Sequence, residues 1–454
     1  MLGWCWSPFL PSTTGSNNSM KIFFSRFGFA AISLSLSFVL LLAGCGGGDS
    51  PQDGRSKEGK TVLKFWHFWS EPTQKAALME RVKAFEAENP DLYVELSELS
   101  WNDGQTKLQL AFNSGTAPDV LELGSDWVAQ FSSAGVLANQ KGMAGDNESR
   151  FSAEVLAPGQ WNGGAYAWPW VVDSRVLYFN KALLASVGAD TTKPDTLWSD
   201  VLAKAEQIKA KHPDAYGFGA NGPDRHRLYK KIVPFFWSNG GQVVGANGTP
   251  AMNSPQNIQA LEAYLELART GLIETQKALD QQFVQGKVGF WISGPWLADR
   301  IRKDNPGLQF GLQVMPGFAG QRAVSFGGGE YLAINNASKQ KDAAKKLVTF
   351  LTSAKQALEF CKALPGGMTP ADLSVAGDPF LQSEIRKHFT AQMKNARFTP
   401  VHPKWLDMEA IIEEEVSQAI LGNKEAAQAL NDAQYRLTQL ATGEATNAAE
   451  TAGH

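Results

Sequence analysis

Thr61-Val62-Leu63-Lys64-Phe65-Trp66 is an apolar, partly β-branched run interrupted by one lysine, and it reads as a buried strand. Leu78, Met79, Val82 and Phe85 follow at helical spacing within 72–88, and Asn89-Pro90-Asp91 stops that helix. Residues 92–99 alternate as a second strand. A helix over 105–113 is closed by Ser114-Gly115, and 119–123 forms a third strand. Strand, helix, strand, helix, strand implies parallel pairing and an α/β lobe.

The pattern changes after Trp168-Pro169-Trp170. Residues 171–180 read as extended, followed by helices near 198–211, 224–238, 255–270 and 279–285. Strands are expected at 287–292, at 308–315 and at 330–334 after a glycine run. From 340 the chain is mostly helical, over 340–351, 353–363, 380–395, 405–421 and 423–441, with Gly422-Asn423 between the last two. Two α/β lobes and a helical C-terminal part can be built from this. Periodicity does not say how often the chain passes between them.

The N-terminal region carries a separate signal. Met20-Lys21 offers a second start, after which Lys21 and Arg26 precede an apolar stretch ending in Leu42-Ala43-Gly44-Cys45. Charge, a short apolar core and small residues before a cysteine resemble the lipobox of bacterial lipoprotein precursors, so 1–44 is expected to be a leader and Cys45 the lipidated first residue. The apolar run falls short of the ~20 residues that a spanning helix needs. Residues 46–60 are glycine-rich and charged, a composition that suits a flexible tether. Removing Lys21 and Arg26 with the leader takes the formal charge from −3 to −5. With no basic block, nucleic acid is a poor partner. Cys361 is left as a lone buried thiol and no disulfide is expected. Of 14 tryptophans, 12 lie beyond Cys45, enough for an aromatic-lined cleft, a large core or both.

A family resemblance emerges from ordered landmarks. Leu63-Lys64-Phe65-Trp66-His67-Phe68-Trp69 and Ser114-Gly115-Thr116-Ala117-Pro118-Asp119-Val120 resemble the opening of family 1 extracellular solute-binding proteins, the maltose-binding-protein-like receptors of ABC sugar importers. Val176-Leu177-Tyr178-Phe179-Asn180-Lys181, Phe283-Val284-Gln285-Gly286-Lys287-Val288-Gly289, Ser293-Gly294-Pro295-Trp296 and Gly327-Gly328-Gly329-Glu330 continue in the family's order. The helix Ala343-Ala344-Lys345-Lys346-Leu347-Val348-Thr349-Phe350-Leu351 completes a set spanning 61–440. The resemblance implies a two-lobed periplasmic-binding-protein fold of type II-like topology, with hinge crossings near 169–174, near 314–317 and near Thr352. The first lobe would comprise 61–170 and 317–351 and the second 174–314 and 353–440; residues 442–454, small and polar, read as a frayed tail. Together with the lipobox, the resemblance describes an extracytoplasmic monomer, lipid-anchored in the cell envelope, that hands its ligand to a membrane permease and needs no cofactor or metal.

Sugars present apolar C–H faces and hydroxyls, so a site for them needs aromatic platforms beside carboxylates, amides or guanidinium groups. Open α/β sheets place ligands at the turns after strands. On that rule His67, Trp69 and Glu71 follow the first strand, and Asp126-Trp127 follows the third. Trp168, Trp170 and Asp173 lie on the first crossing, and Trp237 and Asn239 precede Gly240-Gly241. Gly328 and Gly329 would let backbone approach the ligand beside Glu330. By resemblance, Asp126 and Asp173 match sugar-binding acids, and Trp296 and Trp405 match stacking tryptophans. Trp66, Trp161, Trp198 and Trp291 read as core or surface.

Other chemistry has less support. Gly217-Phe218-Gly219-Ala220-Asn221-Gly222 is a literal G-x-G-x-x-G followed by proline, so it reads as a loop and not a dinucleotide site. Glu413-Glu414-Glu415 reads as a solvated helix face. No H-E-x-x-H, C-x-x-C or G-x-S-x-G occurs. The alternatives are a secreted carbohydrate-active enzyme, which needs two carboxylates across a sugar bond, and the same fold holding a polyamine or glycerol phosphate. A phosphate reader should gather Arg and Lys at its cleft. The expected cleft is richer in Trp and acids, which favours neutral polyols.

Overall fold

The computed structural model describes residues 59–442, apart from 143–144, 246–247 and 365–367. The leader, Cys45, nearly all of the tether and the tail beyond 442 therefore lie outside the described residues.

Two sheets organise the chain. The first runs in the order Thr369–Pro370, Ala167–Ser174, Ser325–Ile334, Val120–Gly124, Thr61–His67, Leu92–Glu98, with Ala396–Arg397 pairing beside the start of Ser325–Ile334. Thr61–His67 pairs in parallel with both Leu92–Glu98 and Val120–Gly124, as the strand–helix alternation requires. Leu63 and Phe65 are fully buried and Lys64 points to solvent. The helix Pro72–Glu88 covers this sheet with Ala77, Leu78, Val82 and Phe85, while Met79 lies off that face, 47% exposed. Ser325–Ile334 enters antiparallel between Val120–Gly124 and Ala167–Ser174. The glycine run expected to precede a strand is thus inside one. A Cβ on Gly329 would sit 2.4 Å from the Val171 carbonyl oxygen, which explains why the run is glycine.

The second sheet runs Phe310–Gln313, Val176–Asn180, Val288–Ser293, Tyr216–Asn221, Leu272–Glu274. Tyr216–Asn221 corrects the loop reading of the G-x-G-x-x-G, because it pairs in parallel with both of its neighbours. Its glycines serve packing. A Cβ on Gly217 would lie 2.2 Å from the Ala205 carbonyl oxygen of helix Trp198–Lys211. Glycine depresses strand propensity, so the pattern concealed the strand.

The chain leaves the first sheet at Ser174 and enters the second at Val176, then returns between Gln313 and Ser325. The third passage differs from the expectation near Thr352. Helix Ala354–Ala363 stays on the first lobe, where Phe360 and Cys361 pack with Leu63, Phe65 and Trp170, and Thr369–Pro370 joins the first sheet. Trp405–Ile420 and Ala426–Thr442 pack with Pro255–Arg269 of the second lobe. The passage therefore falls between Pro370 and Trp405.

The Glu413–Glu415 face is also corrected. Glu413 and Glu415 are 6% exposed, with Glu415 paired to Lys424 and Arg436 and only Glu414 facing solvent. The two lobes touch through Tyr229, whose ring meets Phe326 of the first sheet edge-on at 5.7 Å. Among the described residues no helix is long and apolar enough to cross a membrane.

Candidate functional site

Between the lobes lies a cavity of about 420 Å³, within the usual range for small-molecule sites. The ends of three parallel strands open onto it. Trp69 follows Thr61–His67, Trp101 follows Leu92–Glu98, and Ser125, Asp126 and Trp127 follow Val120–Gly124. The first lobe thus supplies an aromatic wall. Trp101 stacks on Phe68 at 4.1 Å and 21°, and meets Trp127 edge-on at 5.3 Å. Opposite it stands Trp296, the first residue of helix Trp296–Asp304. Its Nε1 donates to Asp280 Oδ2 at 3.0 Å. Gly294 is required beneath it, since a Cβ there would lie 1.9 Å from the indole. The Arg175 guanidinium sits 4.8 Å over the same ring, a cation–π contact that fixes both groups.

Polar groups complete the cleft. Tyr229 Oη donates to Asp126 Oδ2 at 2.6 Å, joining the lobes directly. Arg175 Nη1 donates to Asp173 Oδ2 at 2.5 Å. Trp69 Nε1, Arg175 Nε and Glu330 Oε2 are buried without a hydrogen-bond partner. Such atoms carry a desolvation penalty that a bound hydroxyl can relieve.

Of the residues expected at the site, Trp69, Asp126, Trp127, Asp173, Trp296, Gly328, Gly329 and Glu330 line this cavity. The others do not. His67 is buried beneath it, and Glu71 forms a capping box with Gln74 at the start of Pro72–Glu88. Trp168 and Trp170 are core residues of the first lobe, Trp170 stacking on Phe360 at 4.4 Å. Trp237 packs under Arg397. Asn239 donates to the Gln256 carbonyl at 2.8 Å. Trp405 is fully buried against the edge of Tyr229. Residue type and proximity to a crossing did not separate platform from core.

Sequence reasoning missed Trp101, although it obeys the same strand-end rule as Trp69. It also missed the basic residues Arg175, Arg227, Lys230, Lys277 and Arg300, all of which line the cavity. The expectation of a cleft dominated by tryptophan and acids therefore needs correction: it is aromatic and bipolar. Among the described residues no cluster of His, Cys, Asp and Glu is arranged to hold a metal ion.

The model of the bacterial extracellular solute-binding proteins matches residues 69–358, well over half of the chain. This chain belongs to that family. A binding protein of Brucella abortus is 28% identical over 77% of this chain and 86% of its own. The maltooligosaccharide ABC transporter solute-binding lipoprotein of Streptococcus pneumoniae is 26% identical over 87% of this chain and 92% of its own. The GacH receptor of Streptomyces glaucescens, solved unliganded and with acarbose, is 23% identical. It superposes with a TM-score of 0.75 over 84% of this chain and 98% of its own, a likeness that shows the two-lobed fold.

This solute-binding protein buries several titratable groups below its cleft. Burial pushes the Glu122 carboxyl from 4.5 up to about 8, partly offset by the backbone N–H of Phe68. Burial lowers His67 from 6.5 to about 4. Burial, with Glu122 and Asp173 nearby, holds Glu330 well above its usual range. Between about 4.5 and 8 the folded state keeps a proton on Glu122 that the unfolded chain has lost, so this group's stabilisation falls as pH rises. His67 acts oppositely between about 4 and 6.5, where the unfolded chain binds the extra proton. From pH 6.5 to 8 the Glu122 slope is unopposed by His67. Thermal midpoints are expected to fall across that window in the wild type and to fall less in Glu122→Gln. Equal slopes in the two proteins would refute the assignment.

Proposed function

We propose that this protein is the sugar-binding receptor of an ABC importer, held at the extracytoplasmic membrane surface through lipid on Cys45. The reading rests chiefly on one observation: Trp69, Arg175 and Glu330, each with a buried polar atom that has no hydrogen-bond partner, line the same cavity as Trp101, Trp127 and Trp296. A saccharide satisfies both demands, its C–H face against a ring and its hydroxyls on the orphaned atoms. The Leu42-Ala43-Gly44-Cys45 motif supports the anchor, and the pneumococcal relative is itself a lipoprotein.

Closure follows from the layout. A ligand touching Trp101 of one lobe and Trp296 of the other makes all its contacts only when the lobes approach, so it favours the closed state by that difference. The Tyr229–Asp126 hydrogen bond is the protein's own contribution to the same approach. The closed form is then what a permease receives.

A cavity of about 420 Å³ suits a mono- or disaccharide better than a long chain. Intrinsic fluorescence should therefore respond to a mono- or disaccharide in a sugar panel, because four tryptophans line the cleft. Tighter binding of long maltodextrins would overturn the size limit. A flat response to every saccharide would overturn the sugar reading.

A further inference from the structure

We propose that the ligand carries an anionic group, a carboxylate or a phosphate, seated against the second-lobe wall by Arg227, Lys230, Lys277 and Arg300. The inference rests on the sugar-receptor reading and names the class of sugar: an anionic saccharide or polyol.

The four cations come from three separate elements of one lobe. Arg227 and Lys230 flank the start of helix Tyr229–Ser238, Lys277 lies in the first turn of Gln276–Val284, and Arg300 lies on Trp296–Asp304. All line the cavity, so like charge is gathered where it repels itself most in the absence of a counter-ion. Their local pairing is thin. The Arg227 contact with Asp224 is 3.9 Å long. Arg300 reaches Asp304 at 3.5 Å and otherwise donates to the uncharged Gln281. Lys230 and Lys277 make no ion pair among the described residues. Lys230 is held over the rings of Tyr229 and Phe326, 5.4 Å from each, which keeps its ammonium at the cleft instead of in bulk water.

The acids of the cleft are engaged elsewhere or only partly offset these cations. Asp126 accepts from Tyr229, and Asp173 is paired with Arg175. Asp280 already accepts from Trp291, Ser293 and Trp296. Glu330 is held toward its protonated form by burial and by Glu122 and Asp173, with Lys230 opposing them from nearby. What remains is a positive wall facing an aromatic one. A polyanion would meet no cation on the first-lobe side. A sugar ring with a charged group at one end meets the right surface on both.

The test uses the full-length protein and matched probes: glucose, galactose and glycerol against glucuronate, galacturonate, glucose 6-phosphate and glycerol 3-phosphate, by calorimetry at low and high salt. At least one anion is expected to bind ten-fold or more tighter than its neutral parent, with the advantage shrinking as salt rises. The uronate and phosphate arms tell the two anions apart. Lys230→Gln combined with Lys277→Gln should cut the anion's advantage to three-fold or less, with an unchanged unliganded melting temperature establishing that the variant is folded. Neutral sugars binding as well as or better than every anion would overturn this proposal and leave the sugar receptor standing. An anion advantage that survives the double substitution would overturn the assignment to this wall. If no probe in either arm binds, both readings fall.

Discussion

Asp280→Ala is expected to lower the urea midpoint of unfolding by the equivalent of about 3 kcal/mol. Asp280 is 4% exposed and accepts three hydrogen bonds, from Trp291 Nε1 at 2.7 Å, Ser293 Oγ at 3.0 Å and Trp296 Nε1 at 3.0 Å. A buried donor left without an acceptor costs roughly 1–3 kcal/mol. Trp291 and Ser293 are 1% and 0% exposed, so water cannot replace the lost partner at either. Trp296 retains some exposure and suffers less. A further cost comes from Lys231, which is fully buried and bonded through Nζ to Gln276 Oε1 at 3.0 Å. Burial lowers its pKa well below the usual lysine range, and Asp280 is the first of the opposing influences.

One term runs the other way. The carboxylate itself is costly to bury, and burial raises its pKa against the three hydrogen bonds that lower it. That offset is why the expected loss stays near that of two orphaned donors. Asp280→Asn should fall between wild type and alanine, because its amide nitrogen brings donors into a site already full of them. Denaturation followed at constant slope checks the result. A midpoint unchanged in Asp280→Ala would show that the three donors find other partners.

How much of this could be read from the sequence depended on whether the deciding contacts were local. The segment from Thr61 to Gly124 was legible because strands with period two alternate with a helix of period 3.6, and each stop signal was local. Tyr216–Asn221 was not legible, since Gly217 answers to helix Trp198–Lys211 and Gly219 to Trp291 and Leu279, contacts distant in sequence. Tryptophan posed the same difficulty at the site. Trp168 and Trp170 lie on Ala167–Ser174, which pairs on both edges and is buried over almost its whole length, so neither faces the cavity. Glu413 looked solvated on its own helix. In the fold its carboxylate accepts from the backbone of His226 and Tyr229 and caps the start of helix Tyr229–Ser238. The cations of the second-lobe wall come from three segments separated in sequence, and no spacing rule joins them.

Trp296→Ala is expected to weaken binding of the best sugar in the panel by about two orders of magnitude. A stacked aromatic contributes ~0.5–1.5 kcal/mol beyond the area it covers, and covering one face of a sugar adds roughly 2 kcal/mol at ~25 cal/mol per Å². Together these amount to about 3 kcal/mol, or about a hundred-fold in Kd. The ring is held in place before any ligand arrives, since Asp280 binds its Nε1, Gly294 leaves room beneath it, and the Arg175 guanidinium, 4.8 Å from its centroid, would share the other face with a sugar. Little freedom is then lost on binding. Trp296→Phe keeps a flat face but gives up the bond to Asp280, so it should lose less than alanine does. If Trp296 were only a packing residue, alanine would lower the unliganded melting temperature and leave Kd within about two-fold, with phenylalanine restoring the stability. Titration and melting of both variants separate these outcomes, because a platform residue moves affinity more than it moves the melting temperature.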